Sequence, residues 1–237
     1  MAKSAYIGVN GIAQKIKGGY VGVGGVAKKI KKAYIGVGGV ARPCWGGGGE
    51  LTYYGTATAL SKGRESLAAT SVGDYALFGG GRRSSYLDVV DAYNSSLVRS
   101  TPTALSKGRE SLTATSVGDY ALFGGGSFDY GGLDVVDAYN SSLVRSTPIA
   151  PLSTFMQRLA ATSVGDYALF GGGFDDNGSY LNIVDAYNSS LVRSTPTALS
   201  KGRESLAATS VGDYALFGGG SCGYESYLNV VDAYMVA

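Results

Sequence analysis

The twelve residues Thr70-Ser71-Val72-Gly73-Asp74-Tyr75-Ala76-Leu77-Phe78-Gly79-Gly80-Gly81 return unchanged three times, ending at Gly126, Gly173 and Gly220, with spacings of 45, 47 and 47 residues. A segment repeated in that frame defines a unit of roughly the size of one four-stranded antiparallel sheet with its turns. Within the first unit, residue type marks strands over 66–72, 75–80, 87–93 and 97–101. Gly73-Asp74 supplies a hairpin turn, and Asn94-Ser95-Ser96 a second turn. Pro102 stops the fourth strand, since it has no N–H to give to a ladder. Nothing between these strands is long enough for an ordinary helix.

The ends of the array carry a further signal. The last unit stops after its third strand, at Val231-Asp232-Ala233-Tyr234, while Thr58-Ala59-Leu60-Ser61 aligns with Thr103-Ala104-Leu105-Ser106. Residues 52–56 therefore occupy a fourth-strand position ahead of any first strand. Added to the last sheet, they would close the array and remove two exposed edges. Two chains in a larger ring, or an open array, are the other arrangements that four units allow.

Upstream the period changes. Tyr6-Ile7-Gly8-Val9-Asn10-Gly11-Ile12-Ala13 returns at Tyr20 and Tyr34, every 14 residues, with Asn-Gly or Gly-Gly between β-formers. That pattern predicts three short hairpins, each too small to bury a core alone. Residues 1–50 hold eight Lys or Arg and one acid, against twelve and seventeen in the rest. The chain thus divides into a basic β-hairpin repeat module, 1–50, and a repeat domain, 51–237. The lysines alternate with apolar residues, as solvent faces of strands do, and no aromatic platform for bases accompanies them, so nucleic acid is not an expected partner.

Arg64, the Gly doublet after an aromatic in Phe78-Gly79-Gly80, and the later Tyr93 resemble the kelch repeat, over about residues 51–237. The resemblance implies an all-β fold, a kelch-like β-propeller of four four-stranded blades. It departs from the family pattern at the fourth strand, where Val98, Val144 and Val192 stand in place of the usual Trp. Packing between the units must then be lighter, or organised differently. Taken whole, with basic hairpins leading into Gly-rich units, the chain resembles kelch-like repeat proteins of phage and prophage structural regions in gut bacteria. That likeness implies a virion or tail-associated binding protein, attached through residues 1–50 to virion or tail proteins.

Composition removes much chemistry. With no histidine, Ser-His-Asp and Cys-His nucleophile systems and histidine-ligated metals are excluded, including the copper chemistry known on kelch propellers. Cys44 and Cys222 lie in unrelated surroundings and are read as unpaired thiols. The start Met1-Ala2-Lys3-Ser4-Ala5-Tyr6 lacks the apolar run of a secretory signal, and no stretch is long and apolar enough to insert in a membrane. Synthesis in the cytoplasm followed by particle association is expected.

Glycine clusters invite a phosphate-cradle reading, but no helix follows them and no Gly-Lys-Ser/Thr is present. Asp175-Asp176-Asn177-Gly178 lacks the alternate ligands and distal Glu of a calcium loop and reads as a surface turn. No cofactor or metal is expected. The Asn-Ser-Ser triplets fit glycosylation acceptors, yet are first of all turn residues.

Differences between the copies locate the candidate site. They gather after the glycines, at 82–86, 127–132, 174–180 and 221–227, and where Lys-Gly-Arg-Glu becomes Thr154-Phe155-Met156-Gln157. In an antiparallel meander both segments emerge at one end of the sheets, while the unvarying Val-Gly-Asp and Asn-Ser-Ser turns emerge at the other. The ligand-binding candidates are Arg82, Arg83, Tyr86, Phe128, Asp129, Tyr130, Phe155, Phe174, Asp175, Asp176, Asn177, Tyr180, Tyr224, Glu225 and Tyr227. Their mixture of aromatic, small polar and charged residues suits an adaptable binding surface, with a host-surface glycan or protein as partner. Two alternatives remain: a structural spacer, and a carboxylate-dependent carbohydrate-active enzyme using Asp91, Asp137, Asp185 and Asp232.

Overall fold

The computed structural model describes residues 51–148 and 150–236 in full, together with the backbone of six strands between Tyr6 and Trp45. The chain forms two compact units, residues 1–55 and 56–237. In the first, β1 (Tyr6–Val9) pairs with β2 (Ile12–Lys15), β3 (Tyr20–Val23) with β4 (Val26–Lys29), and β5 (Ala33–Val37) with β6 (Val40–Trp45), all antiparallel. Val9 faces Ile12, Val23 faces Val26 and Val37 faces Val40, so each connection spans two residues, as Asn-Gly and Gly-Gly require. The expected lysine faces and the Cys44 thiol lie outside the described residues.

The second unit is a run of antiparallel meanders. The first sheet holds β7 (Ala68–Val72), β8 (Tyr75–Gly79), β9 (Val90–Tyr93) and β10 (Arg99–Ser100). The second holds β11 (Thr113–Val117), β12 (Tyr120–Gly124), β15 (Val136–Asn140) and β16 (Arg145–Ser146), with a small hairpin, β13 (Ser127–Phe128) and β14 (Gly131–Gly132), inserted. The third holds β17 (Ala160–Val164), β18 (Tyr167–Gly171), β19 (Val184–Asn188) and β20 (Arg193–Ser194). The fourth has three strands, β21 (Ala207–Val211), β22 (Tyr214–Gly218) and β23 (Val231–Met235). The described residues contain no helix.

Two expected strands are shorter than their sequence suggests. Residues 87–89 serve a connection instead of the ladder, because Leu87 N–H donates to Gly81 O and Val89 O accepts from Gly80 N–H. The fourth strand shrinks to Arg99–Ser100 because the Asn94 carboxamide takes the Val98 N–H and Leu97 turns to φ 59°.

The completion of the last sheet by residues 52–56 is not formed. They lie in no strand, and Tyr53 and Tyr54 are exposed. Such pairing needs the first and last sheets side by side. Packing instead joins β7 to β11, β11 to β17 and β17 to β21, with nothing comparable between β21 and β7.

The sheets stack through one repeated contact. Period-two alternation gives each sheet a leucine face (Ala68, Val72, Leu77, Gly79, Val90 and Ala92 in the first) and a phenylalanine face (in the second, Ala121, Phe123 and Tyr139). The leucine face of one sheet meets the phenylalanine face of the next, giving three successive cores. Glycine makes the fit possible. A Cβ on Gly79 would lie 2.7 Å from the Phe123 ring, and Gly124 and Gly171 stand in the same relation to Phe170 and Phe217. Each Phe is then held edge-on by a Tyr of its own sheet, with centroids 5.9 Å apart for Phe123 and Tyr139. The valines that replace tryptophan, Val98, Val144 and Val192, are exposed and take no part.

Four backbone hydrogen bonds accompany each contact. Between the first two sheets these are Leu105 N–H to Asp88 O, Arg109 N–H to Leu87 O, Gly81 N–H to Arg109 O, and Ser111 N–H to Ser66 O, 2.8–3.1 Å. The last kind forms a chain from sheet to sheet, continued by Arg158 to Ser111 and Ser205 to Arg158. Ser66, Ser111, Arg158 and Ser205 share φ of 53–54° and line one hollow of about 320 Å³, so the first strands of all four sheets gather around it.

Candidate functional site

The connection into each sheet and the loop after its second strand are tied together. Glu65 and Arg82 exchange both backbone hydrogen bonds, as do Glu110 with Ser127, Gln157 with Phe174, and Glu204 with Ser221. Both divergent segments therefore meet at the same end of each sheet.

At that end of the first three sheets lies a cavity of about 360 Å³ lined by Arg82, Tyr86, Glu110, Ser111, Ser127, Tyr130, Gln157, Arg158 and Phe174. Its charges are paired along the wall. The Arg82 guanidinium donates to Glu110 Oε1 at 3.2 Å, and Arg158 to Glu204 Oε2 at 3.0 Å. Arg82 also stands over the Tyr86 ring, 5.2 Å from its centroid. Tyr86 in turn leans on Phe128, and Phe174 on Tyr180, at centroid distances of 5.1 and 5.3 Å. Lys107 Nζ sits 4.5 Å from the Phe128 ring centroid.

The loops are held by local bonds. Asp129 and Tyr130 both have positive φ, 51° and 66°, at the tip of the β13–β14 hairpin. That is the backbone of a type I′ turn, which usually takes Asn-Gly, and it leaves Tyr130 86% exposed. Asp175 accepts from the Asn177 and Ser179 N–H groups, forming an Asx turn. Asp176 accepts from Gly132 N–H, which fastens the loop of the third sheet to that of the second.

Of the fifteen sequence candidates, the cavity gathers Arg82, Tyr86, Tyr130 and Phe174. Phe128, Tyr180, Asp175 and Asp176 support that wall or its loops. Arg83, Asp129, Phe155 and Asn177 are exposed beside it, while Tyr224, Glu225 and Tyr227 are exposed on the fourth sheet and do not line it. Ser127 and Gln157 line the cavity from within the divergent segments, whereas Glu110, Ser111 and Arg158 are cavity residues outside them. A signal existed, because the divergence of the third unit extends one residue beyond Gln157: Arg158 stands where the other units have Ser66, Ser111 and Ser205.

The repeated aspartates have another task. Asp91, Asp137 and Asp185 are fully buried. Asp137 accepts from Ser106 N–H and Oγ–H and pairs with Arg109 at 2.9 Å and Arg145 at 2.8 Å. Asp185 and Asp232 are tied to Ser153 and Ser200 in the same way. These carboxylates fasten the incoming connection to the third strand of the sheet, and none of them lines the cavity at the loop end. Burial pulls Arg109 below its usual pKa, partly offset by Asp137. Burial also pushes the hydroxyls of Tyr139 and Tyr187 well up, aided by Asp137 and Asp185, and that of Tyr234 to about 12.

The opposite end has its own reason for constancy. Gly73 lies against Ser141 of the next sheet, and Gly118 against Ser189, so closely that a Cβ added at either would lie 3.2 or 3.1 Å from the serine Cβ. The turns at Gly73 and Gly118 thus pack on the Asn-Ser-Ser turn of the following sheet, where the divergent loops are joined by side chains that differ from unit to unit. Among the described residues no cluster of potential metal ligands occurs, and the Cys222 thiol lies 3.2 Å from Ser226 Oγ, a contact that lowers its pKa.

No family model matches the chain, and no curated protein matches it.

Proposed function

We propose that this is a non-enzymatic recognition protein, a kelch-like β-propeller whose loop end binds a host-surface glycan from a phage or prophage tail. The observation that carries the reading is the cavity of about 360 Å³ to which loops and connections of three consecutive sheets contribute. Its lining combines flat aromatic faces, Tyr86, Tyr130 and Phe174, with the guanidinium of Arg158, the Gln157 amide and the Ser111 hydroxyl. Aromatic faces cover the C–H surfaces of a sugar ring, while convergent donors and acceptors orient its hydroxyls. A protein partner would be met by the same end through the exposed Tyr130 and Tyr224.

The tail association rests on the resemblance of the sequence, and residues 1–50 are the segment proposed to attach to the particle. The propeller arrangement is supported by the gathering of Ser66, Ser111, Arg158 and Ser205 around one hollow.

Replacing the loops at 82–86, 128–132 and 174–180 with one another's sequences is expected to abolish glycan-array or cell binding. Altering 221–227 should leave binding intact, because that loop lies outside the cavity. Unchanged binding after all four replacements overturns the reading.

A further inference from the structure

The contact that joins consecutive sheets is left half-made at both ends of the array, and the halves are complementary. Among the described residues no other sheet covers the phenylalanine face of the first sheet: Ala76 is exposed, and Phe78, Leu60 and Leu67 are half-buried, although the equivalent Phe123, Leu105 and Leu112 are buried. Phe78 nevertheless holds the pose of the buried copies, edge-on to Tyr93 with centroids 5.8 Å apart. On the fourth sheet the leucine face is bare. Val211 and Val231 are 63% and 61% exposed, where Val117 and Val136 are 3% and 1%.

A hollow of about 390 Å³, lined by Ala207, Ala208, Thr209, Leu216, Gly218, Gly219 and Val231, lies where the other sheets receive a phenylalanine ring. The backbone groups match as well. Among the described residues, the N–H groups of Leu60, Arg64 and Ser66 have no counterparts to the bonds made by Leu105, Arg109 and Ser111, nor has Gly220 N–H to that made by Gly81. The corresponding acceptors on the fourth sheet, the carbonyls of Asn229, Leu228 and Ser205, are equally without these bonds.

We propose that a second copy of this chain occupies these faces head to tail, Phe78 of one copy seating on Gly218 of the other. Two copies that do so reciprocally make both joints and leave neither face bare. The occupant follows from the chain itself: the contact is formed three times between its own sheets, each time with a Phe, a Tyr or Ala beside it, and Leu and Val in equivalent places. Closure within one chain is disfavoured because the three formed contacts leave no comparable packing between β21 and β7. A head-to-tail contact is heterologous, and a ring is its closed form.

The test is the solution mass of the full chain by light scattering and native mass spectrometry. The expected result is twice the 24.3 kDa of one chain. Gly218→Phe fills the hollow and is expected to weaken association by on the order of tenfold or more, as is Phe78→Ala. Neither change should unfold the chain, since a Cβ at Gly218 meets only Val231 Cγ2 at 3.4 Å and Phe78 lies outside the three formed cores. Far-UV circular dichroism and the melting curve of the monomeric variants check this. A wild-type chain that stays at 24.3 kDa at millimolar concentration overturns the proposal. So does a dimer whose mass ignores both substitutions, because its contact then lies elsewhere, in residues 1–50 for example. A loss of melting temperature without change of mass also overturns it, since that would be closure within one chain.

Discussion

The second and third sheets solve the same problem with different chemistry. In the second, the buried Arg109 side chain spans from Asp137 to the carbonyls of Lys107 and Phe123. In the third, the same position holds Met156, equally buried, and Asp185 replaces the lost guanidinium with the hydroxyl of Thr195 at 3.1 Å. Arg193 remains, as Arg145 does in the second sheet. The site therefore requires volume and a satisfied aspartate, and a second cation is optional. Arg109 Nε is itself buried without a partner, so the arginine brings a cost that methionine avoids.

The comparison breaks most sharply if the position is emptied. Arg109→Ala leaves the buried Asp137 short of a cation and opens a cavity, and is expected to destabilise by about 3–5 kcal/mol in urea unfolding. A loss under about 1 kcal/mol would mean that the aspartate, not the side chain at 109, does all the fastening. A smaller effect is expected from alkali. The Tyr139, Tyr187 and Tyr234 hydroxyls have raised pKa values in the folded chain, so their stabilisation is complete below about pH 10, the ordinary tyrosine value, and is lost as pH rises beyond it. For Tyr234 that loss runs to about pH 12. Melting temperature should fall over this interval, and a flat profile would contradict the burial of these rings. The smallest effect is expected from Arg109→Met, which copies the third sheet into the second. With Ser106 and Arg145 retained on Asp137, stability should change by no more than about 1 kcal/mol. A loss as large as that of the alanine variant would show that Thr147, which stands in the second sheet where Thr195 stands in the third, does not replace the guanidinium beside Asp137.

The strands were legible in the sequence because local chemistry specifies them. Gly73-Asp74 and Asn94-Ser95-Ser96 mark turns by their backbone preferences, and alternation assigns the faces. What lay between sheets was not legible. Gly79 reads as the end of a strand, and only the packed structure reveals it as the seat of Phe123. The repeated aspartates have the composition of a catalytic ring, yet their role depends on which way the strand face turns, and it turns toward Ser106 and Arg109. At the candidate site, divergence between copies found Arg82, Tyr86, Tyr130 and Phe174 because the segments that carry them differ from unit to unit. It missed Glu110, which belongs to the cavity through its backbone pairing with Ser127 and is the same residue as Glu65 and Glu204 in two other units.

The sameness of the glycine seats has a consequence for how the chain reaches its fold. Phe123, Phe170 and Phe217 meet seats of the same kind at Gly79, Gly124 and Gly171, so the contact does not encode which neighbour is the right one. A sheet that skips a place finds an equally good seat, and only the short connections between units penalise the skip through loop closure. Assembly in chain order, as each unit leaves the ribosome, removes that ambiguity. Refolding from the full-length denatured chain at high concentration does not, and slow, mispaired and interchain species should appear there first.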